Sequence, residues 1–218
     1  MTIGILDYDM ANLRSVQKGF ERHGHAADIL RHPEQLAKYD KLVLPGVGAF
    51  RDAVATLRHR NLVEPILTHI QRGKPLLGIC LGLQILFQTG YEDGTHTGLG
   101  VLPGSCRRFD VDTNPPPGSP ALKVPHMGWN TLDILRPSPI LRGLPLHPGG
   151  EISVYFVHGY HVEPAQTSPT DTSIIATTTH YGRPFVSSIW KDNIIATQFH
   201  PEKSQSVGLT MLDNFARL

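Results

Sequence analysis

The first ninety residues alternate short apolar runs with helix-period segments, and this alternation constrains the fold more than any other feature of the chain. Ile3 to Leu6, Ala27 to Leu30, Lys41 to Leu44 and Leu76 to Ile79 have the length of buried strands. Between them, Asn12 caps a stretch that runs through Phe20 and stops near Gly24. Apolar residues recur at helical spacing from Phe50 to Arg60 (Ala53, Val54, Leu57) and from Val63 to Gln71 (Ile66, Leu67, Ile70), before Gly73. Apolar strands alternating with helices predict an α/β fold with a largely parallel sheet flanked by helices on both faces.

Beyond Gly90 the texture changes. Ten of the 18 prolines fall between Pro103 and Pro148, and Pro115-Pro116-Pro117-Gly118-Ser119-Pro120 predicts an exposed loop. Strand candidates follow at Ile152 to Tyr160, Ser173 to Thr178, Phe185 to Trp190 and Asn193 to Phe199. Lys191-Asp192-Asn193 joins the last two as a hairpin, adding an antiparallel portion, and a helix from Val207 to Ala216 closes the chain. With no internal repeat and no linker, residues 1–218 are expected to form a single domain.

Composition excludes several classes of function. Lys and Arg total 20 against 19 Asp and Glu, and a net charge of +1 creates no field to steer the chain to nucleic acid or to an acidic membrane. Two cysteines make neither a disulfide framework nor a zinc site. The start, Met1-Thr2-Ile3-Gly4, lacks the basic and long apolar segments of a signal peptide, so the cytoplasm is the expected location.

Gly78-Ile79-Cys80-Leu81-Gly82 places a cysteine between two glycines, after a buried run and before a helical stretch marked by Leu83, Leu86 and Phe87. This is the pattern of a nucleophile elbow, where a sharp strand-to-helix turn strains the central residue and small neighbours make room for crowded backbone. The helix N-terminus then favours a thiolate. On the pentapeptide alone, a small buried hydrophobe is the alternative. Cys106 has no such setting and reads as core.

A thiol nucleophile needs a base and a group that orients the base. His200 lies at or just past the end of the run Ile194-Ile195-Ala196, and residues two apart in extended chain face the same way, so Glu202 can reach its ring. Without Cys80 the two would read as caps on a surface strand. Pro45-Gly46-Val47-Gly48 ends a run where glycines let backbone N–H groups approach a substrate, either as an oxyanion site or as a simple turn. His158 and His161, three apart in one predicted strand, are expected to face opposite ways, which argues against a shared metal, while His23 and His25 read as surface residues. Neither phosphate-binding glycine spacing is present, and no cofactor is expected.

Together, Pro45-Gly46-Val47-Gly48, Gly78-Ile79-Cys80-Leu81-Gly82-Leu83-Gln84 and His200-Pro201-Glu202 resemble the motifs of the class I (triad-type) glutamine amidotransferases, in the family's order and across nearly the whole chain. Gly98-Leu99-Gly100, with Gly104 and Phe109, is similar to a further family segment. Two stretches, Asp7 to Val16 and Val124 to Asn130, resemble those of the glutaminase subunits of imidazole glycerol phosphate synthases, of histidine biosynthesis, and Tyr155 to Tyr160 fits the same group. Asp9 and Ala11 stand where glycines are usual, Cys106 stands where an aliphatic residue is more usual, and the Pro115 to Pro120 loop looks chain-specific.

The resemblance implies a mixed, largely parallel sheet and a triad of Cys80, His200 and Glu202. It implies that Gly46, Gly48, Leu81, Gln84, Gly159 and Tyr160 hold glutamine, and that N–H groups near Val47-Gly48 and Leu81 stabilise the oxyanion. It implies a heterodimer in which ammonia passes to a cyclase subunit of (β/α)₈-barrel type, the complex as a whole being a lyase. Trp129, Tyr160 and Lys203 are candidates for the partner-facing surface, with core packing the alternative for the two aromatics and a solvated charge for Lys203. Rival readings are the amidotransferase subunit of anthranilate or aminodeoxychorismate synthase, a stand-alone G-x-C-x-G hydrolase and a non-catalytic binding subunit.

Overall fold

A computed structural model describes residues 1–110, 122–144, 151–165 and 174–218; the Pro115 to Pro120 loop lies outside them. The first half follows the predicted alternation: β1 (Ile3–Leu6), α1 (Leu13–Glu21), β2 (Ala27–Leu30), α2 (Pro33–Leu36), β3 (Lys41–Gly46), α3 (Phe50–His59), α4 (Val63–Gln71) and β4 (Leu76–Cys80). The short α2 has no apolar period to announce it; it is started by His32, whose N–H donates to Gln35 Oε1 at 2.9 Å.

After β4 come α5 (Leu81–Ile85), β5 (Phe87–Gly90), β6 (His96–Thr97), β7 (Leu102–Arg108), β8 (His126–Thr131) and β9 (Asp133–Ile134). The expected helix past Cys80 is therefore a single turn, and Phe87 already begins a strand, in register with Leu102 of β7. The remaining elements are β10 (Ser153–His158), β11 (Tyr160–Pro164), β12 (Ile175–Tyr181), β13 (Arg183–Lys191), β14 (Ile194–Thr197) and α6 (Gln205–Ala216). The run Ile152 to Tyr160 is not one strand: it breaks at Gly159, with β10 pairing β8 and β11 pairing β7 in a different sheet.

The main sheet has the order β2-β1-β3-β4-β14-β13-β12-β9, parallel from β2 through β14 and antiparallel beyond. The remaining strands form a four-stranded sheet, β11-β7-β5-β6, and the β10-β8 ribbon. Burial on both faces is why the central strands are continuously apolar. Leu42, Leu44, Leu76, Ile194 and Ala196 pack toward α3, α4 and α5, while the alternate residues Val43, Leu77 and Ile195 pack toward α1 and α6. No helix among the described residues is long and apolar enough to cross a membrane.

The centre of the sheet leaves no room at the glycines. A Cβ on Gly82 would lie 1.8 Å from the Leu44 carbonyl oxygen, and one on Gly78 would lie 2.9 Å from Ala196 Cβ. Gly82→Ala therefore has to push the elbow off β3, a backbone shift with the cost of an overpacked core, about 1–3 kcal/mol or more. A lowered thermal midpoint with collapsed activity is the expected result; unchanged melting would show that the elbow tolerates the displacement.

Candidate active site

Three adjacent parallel strands, β3, β4 and β14, end at one edge of the sheet and carry the three sequence motifs there. Their register sets Gly46 beside Cys80 and Thr197 beside Ile79. Ligand sites in sheets of this kind form outside the carboxyl ends of the strands, where the side chains of neighbouring strands converge.

Cys80 has φ 54° and ψ −107°, a conformation a non-glycine residue holds only when its surroundings dictate it. Here they do: Gly78 and Gly82 are clamped between β3 and β14, and the turn between them lifts the thiol toward a cavity of about 380 Å³. Because α5 is only one turn long, it supplies backbone N–H groups but little aligned dipole. The other polar groups near the thiol are side chains.

His200 is the first of these. Its side chain is 2% exposed, and Nδ1 lies 2.7 Å from Glu202 Oε1, itself 3% exposed. Burial alone lowers the imidazole pKa, but hydrogen bonding and charge from Cys80 and Glu202 outweigh it and raise the value to about 10. Nδ1 is thereby fixed on the carboxylate, while Nε2 has no hydrogen-bond partner among the described residues. The loop is fixed by backbone: His200 N–H donates to Tyr155 O at 2.9 Å, Ser204 Oγ–H donates to His200 O at 2.7 Å, and Tyr155 N–H donates to Ser204 Oγ at 3.0 Å.

The cavity is lined by Gly48, Leu81, Gln84, Gly159 and Tyr160, together with Cys80, Val47, Glu92, Pro125, Val157 and His158. Five of the six residues carried over as glutamine contacts therefore meet at the thiol. Gly46 does not line it: its Cβ position faces Tyr8 Oη at 2.5 Å and Leu81 Cβ at 2.9 Å, a backing role. A larger cavity of about 630 Å³ opens behind Glu202, between Lys18, Arg22 and α6, but neither Cys80 nor His200 lines it.

Of the N–H groups expected to serve an oxyanion, that of Val47 is committed elsewhere, donating to Met10 O at 2.6 Å. Asp9, in the same loop, takes the left-handed conformation (φ 65°) that a glycine would adopt there, and its carboxylate pairs with Arg60, whose guanidinium also donates to the Asp7 carbonyl at 3.2 Å. Asp7 is buried and bound to Arg31 at 2.7 Å.

Other expectations change. His158 and His161 do not face opposite ways: the break at Gly159 turns both rings onto Phe109, with centroids 5.1 and 4.8 Å away. No group of metal-holding side chains occurs among the described residues. His25 is not simply at the surface, since its Nε2 lies 2.6 Å from Asp213. Core packing is excluded for Trp129, which is 49% exposed with its ring 6.1 Å from Tyr155. Lys203 approaches the same tyrosine, Nζ 5.9 Å from the ring centroid. Tyr160 is half-buried and packs against the core on the α3 side. Cys106 is 1% exposed and its thiol pKa is pushed well up by burial, as a core residue requires.

Sequence reasoning missed Gln198. It is fully buried, and its Nε2 lies 3.6 Å from Cys80 Sγ. No two-residue period marks it: β14 ends at Thr197, and a 3-10 turn over Pro201–Lys203, not extended chain, brings Glu202 to His200.

Comparison with known proteins agrees with this geometry. The family model "Glutamine amidotransferase class-I" matches residues 5–218. The "Imidazole glycerol phosphate synthase subunit HisH" of Syntrophotalea carbinolica is 54% identical over 213 residues, covering 98% of each chain. The protein of the same name from Geobacter sulfurreducens is 49% identical over 216 residues, 99% of this chain and 98% of its own. Among solved structures, PurLQS from Thermotoga maritima superposes with a TM-score of 0.71 at 16% identity, covering 99% of this chain and 97% of the other, which shows the shared fold. The family match over nearly the whole length, together with a cysteine elbow facing a histidine–glutamate pair, establishes that the chain belongs to the class I glutamine amidotransferases.

Proposed function

We propose that residues 1–218 form one glutaminase domain, the subunit of an imidazole glycerol phosphate synthase that releases ammonia from glutamine and hands it to a cyclase. The observation that carries this reading is the 54% identity, over 98% of both chains, to a synthase subunit. The site supplies the chemistry. Cys80 thiolate attacks the side-chain amide carbon of glutamine, forming a C–S bond and a tetrahedral oxyanion. Leu81 N–H stabilises the oxyanion, joined by Val47 N–H once its bond to Met10 is broken. His200, held by Glu202, gives its proton to the amide nitrogen as the C–N bond breaks and ammonia departs. Neutral His200 then takes a proton from water as it attacks the thioester, and glutamate leaves with the thiolate restored. No cofactor enters any of these steps.

Ammonia in bulk water near neutral pH is mostly ammonium and not a nucleophile, so its release has to be coupled to a consumer. The cyclase subunit, of (β/α)₈-barrel type, is that consumer, and it binds the phosphate-bearing substrate for which this chain has no glycine loop. Exposed Met127 and Trp129 project two residues apart on β8, and with Lys203 they give a docking face. The commitment of Val47 N–H to Met10 gives a reason for low activity alone. The test is glutamine hydrolysis by the purified chain, alone and with the cyclase plus its nucleotide ligand. Stimulation of about tenfold or more is expected, in the range of ordinary coupling energies. Ester-cleaving activity of equal size with and without partner overturns the proposal.

A further inference from the structure

Two glutamines stand between a backbone carbonyl and the thiol, and their hydrogen bonds run one way. Gln84 Nε2 donates to Tyr160 O at 3.1 Å and to Gln198 Oε1 at 3.1 Å, and Gln198 Nε2 reaches Cys80 Sγ at 3.6 Å. A carbonyl oxygen can only accept, so Tyr160 O fixes which end of the Gln84 amide faces it. With both amide hydrogens of Gln84 pointing outward, Gln198 has to turn its oxygen toward Gln84. Its amino group then has one place left, the sulfur. Both glutamine side chains are buried, Gln198 wholly and Gln84 at the wall of the cavity.

The carbonyl is held from its other side as well. His158 Nδ1 lies 2.8 Å from Tyr160 O and so carries a hydrogen. Burial lowers the His158 pKa to about 3 and that of His126 to about 4, so both rings are neutral at working pH. His158 Nε2 is then an acceptor, and His126 Nδ1, 3.1 Å away, is its donor. His126 Nε2 accepts in turn from Asn130 Nδ2 at 3.3 Å. Every tautomer and amide orientation from Asn130 to the thiol is determined by its neighbour.

We propose that Gln198 is a further catalytic residue, donating a hydrogen bond to the Cys80 thiolate, with its amide aimed by Gln84 from the Tyr160 carbonyl. The proposal rests on Cys80 being the nucleophile. A charge-assisted bond to the sulfur favours the ionised over the neutral thiol, because the thiolate is much the better acceptor. Gln84 acts through Gln198 and is in this respect a positioning residue. The titratable groups facing the thiol are His200 with Glu202 beyond β14, Tyr8 after β1, His158 on β10, Tyr160 on β11, Cys106 on β7 and Glu92 across the cavity, and Gln198→Met adds no charge among them.

The test is the pH dependence of iodoacetamide alkylation of the full chain, followed by mass of the Cys80 peptide, with buried Cys106 as the unreactive internal control. Gln198→Glu keeps the oxygen that accepts from Gln84 but turns a carboxylate to the sulfur, and Gln198→Met removes the donor while filling the space. Both are expected to move the midpoint of the rate profile up by about one pH unit, making alkylation about tenfold slower below the midpoints. Gln84→Leu, which frees the Gln198 amide to turn over, is expected to move it in the same direction by less. If Gln198→Glu folds with the parent's thermal midpoint and alkylates with the parent's profile, the proposal is overturned. If Cys80 in the parent chain is as inert as Cys106, the nucleophile reading fails instead.

Discussion

Replacement of Cys80 by alanine is expected to abolish glutamine-dependent synthesis by the complex and to leave ammonia-dependent synthesis untouched. Among the described residues that line its cavity Cys80 is the only cysteine, and Cys106 is buried on β7 opposite Val162 of β11. Losing the nucleophile of such a constellation costs on the order of 10⁴-fold or more, since no remaining group can form the covalent intermediate. In the proposed complex the synthetic chemistry belongs to the partner, so externally supplied ammonia bypasses the lesion. Alanine also fits the elbow sterically, although it keeps the positive φ, so folding is expected to survive with a modest loss. Both activities would be measured on the same preparation of complex. Loss of the two together would mean that Cys80 holds the structure and not the reaction.

Glu202→Gln is expected to have the next largest effect. The carboxylate accepts from His200 Nδ1 at 2.7 Å in a site closed to water. An amide there can present N–H to the ring and select the tautomer with Nε2 protonated at the wrong stage, which in comparable triads costs about 10⁴-fold in turnover. A smaller fall in KM than in kcat is expected, because no substrate contact is removed. Stability should change with a definite pH signature. His200 has a folded pKa raised above its unfolded value, so its contribution is fully present below about pH 6.5 and is lost as pH rises through about 10. Denaturant midpoints should therefore fall between these limits in the parent and fall less in Glu202→Gln. A variant that keeps the parent's pH slope would show that Glu202 does not hold the imidazolium.

Much of this arrangement was legible in the chain because it is enforced by backbone. The strands β1 to β4 announce themselves as apolar runs that both sheet faces need, and the glycines around Cys80 mark where a Cβ would strike Leu44 or Ala196. The contact of Glu202 with His200 was expected from extended chain but is made by the 3-10 turn Pro201–Lys203, which Pro201 starts. What was hidden depends on long-range pairing. Nothing local says that Gly159 switches the chain from the β8 ribbon to the β7 sheet, and with that switch goes the true facing of His158 and His161. β7 and β8 carry polar residues, glycine and proline, and exist because partners far along the chain accept their hydrogen bonds. The bond between Val47 and Met10 joins two loops and has no sequence signature at all.

The parallel pairing of β4 with β14 sets Leu76 against Ile194, so the strand carrying the cysteine waits for nearly the last strand of the chain. Closing so long a loop is slow and entropically costly. A ribosome-bound or truncated chain that stops short of His200 thus has the thiol but neither the base nor Gln198 to activate it. On the proposed mechanism such a chain is expected to hydrolyse no glutamine. On that mechanism glutamine hydrolysis depends on the pairing of β4 with β14, and so on residues nearly at the end of the chain.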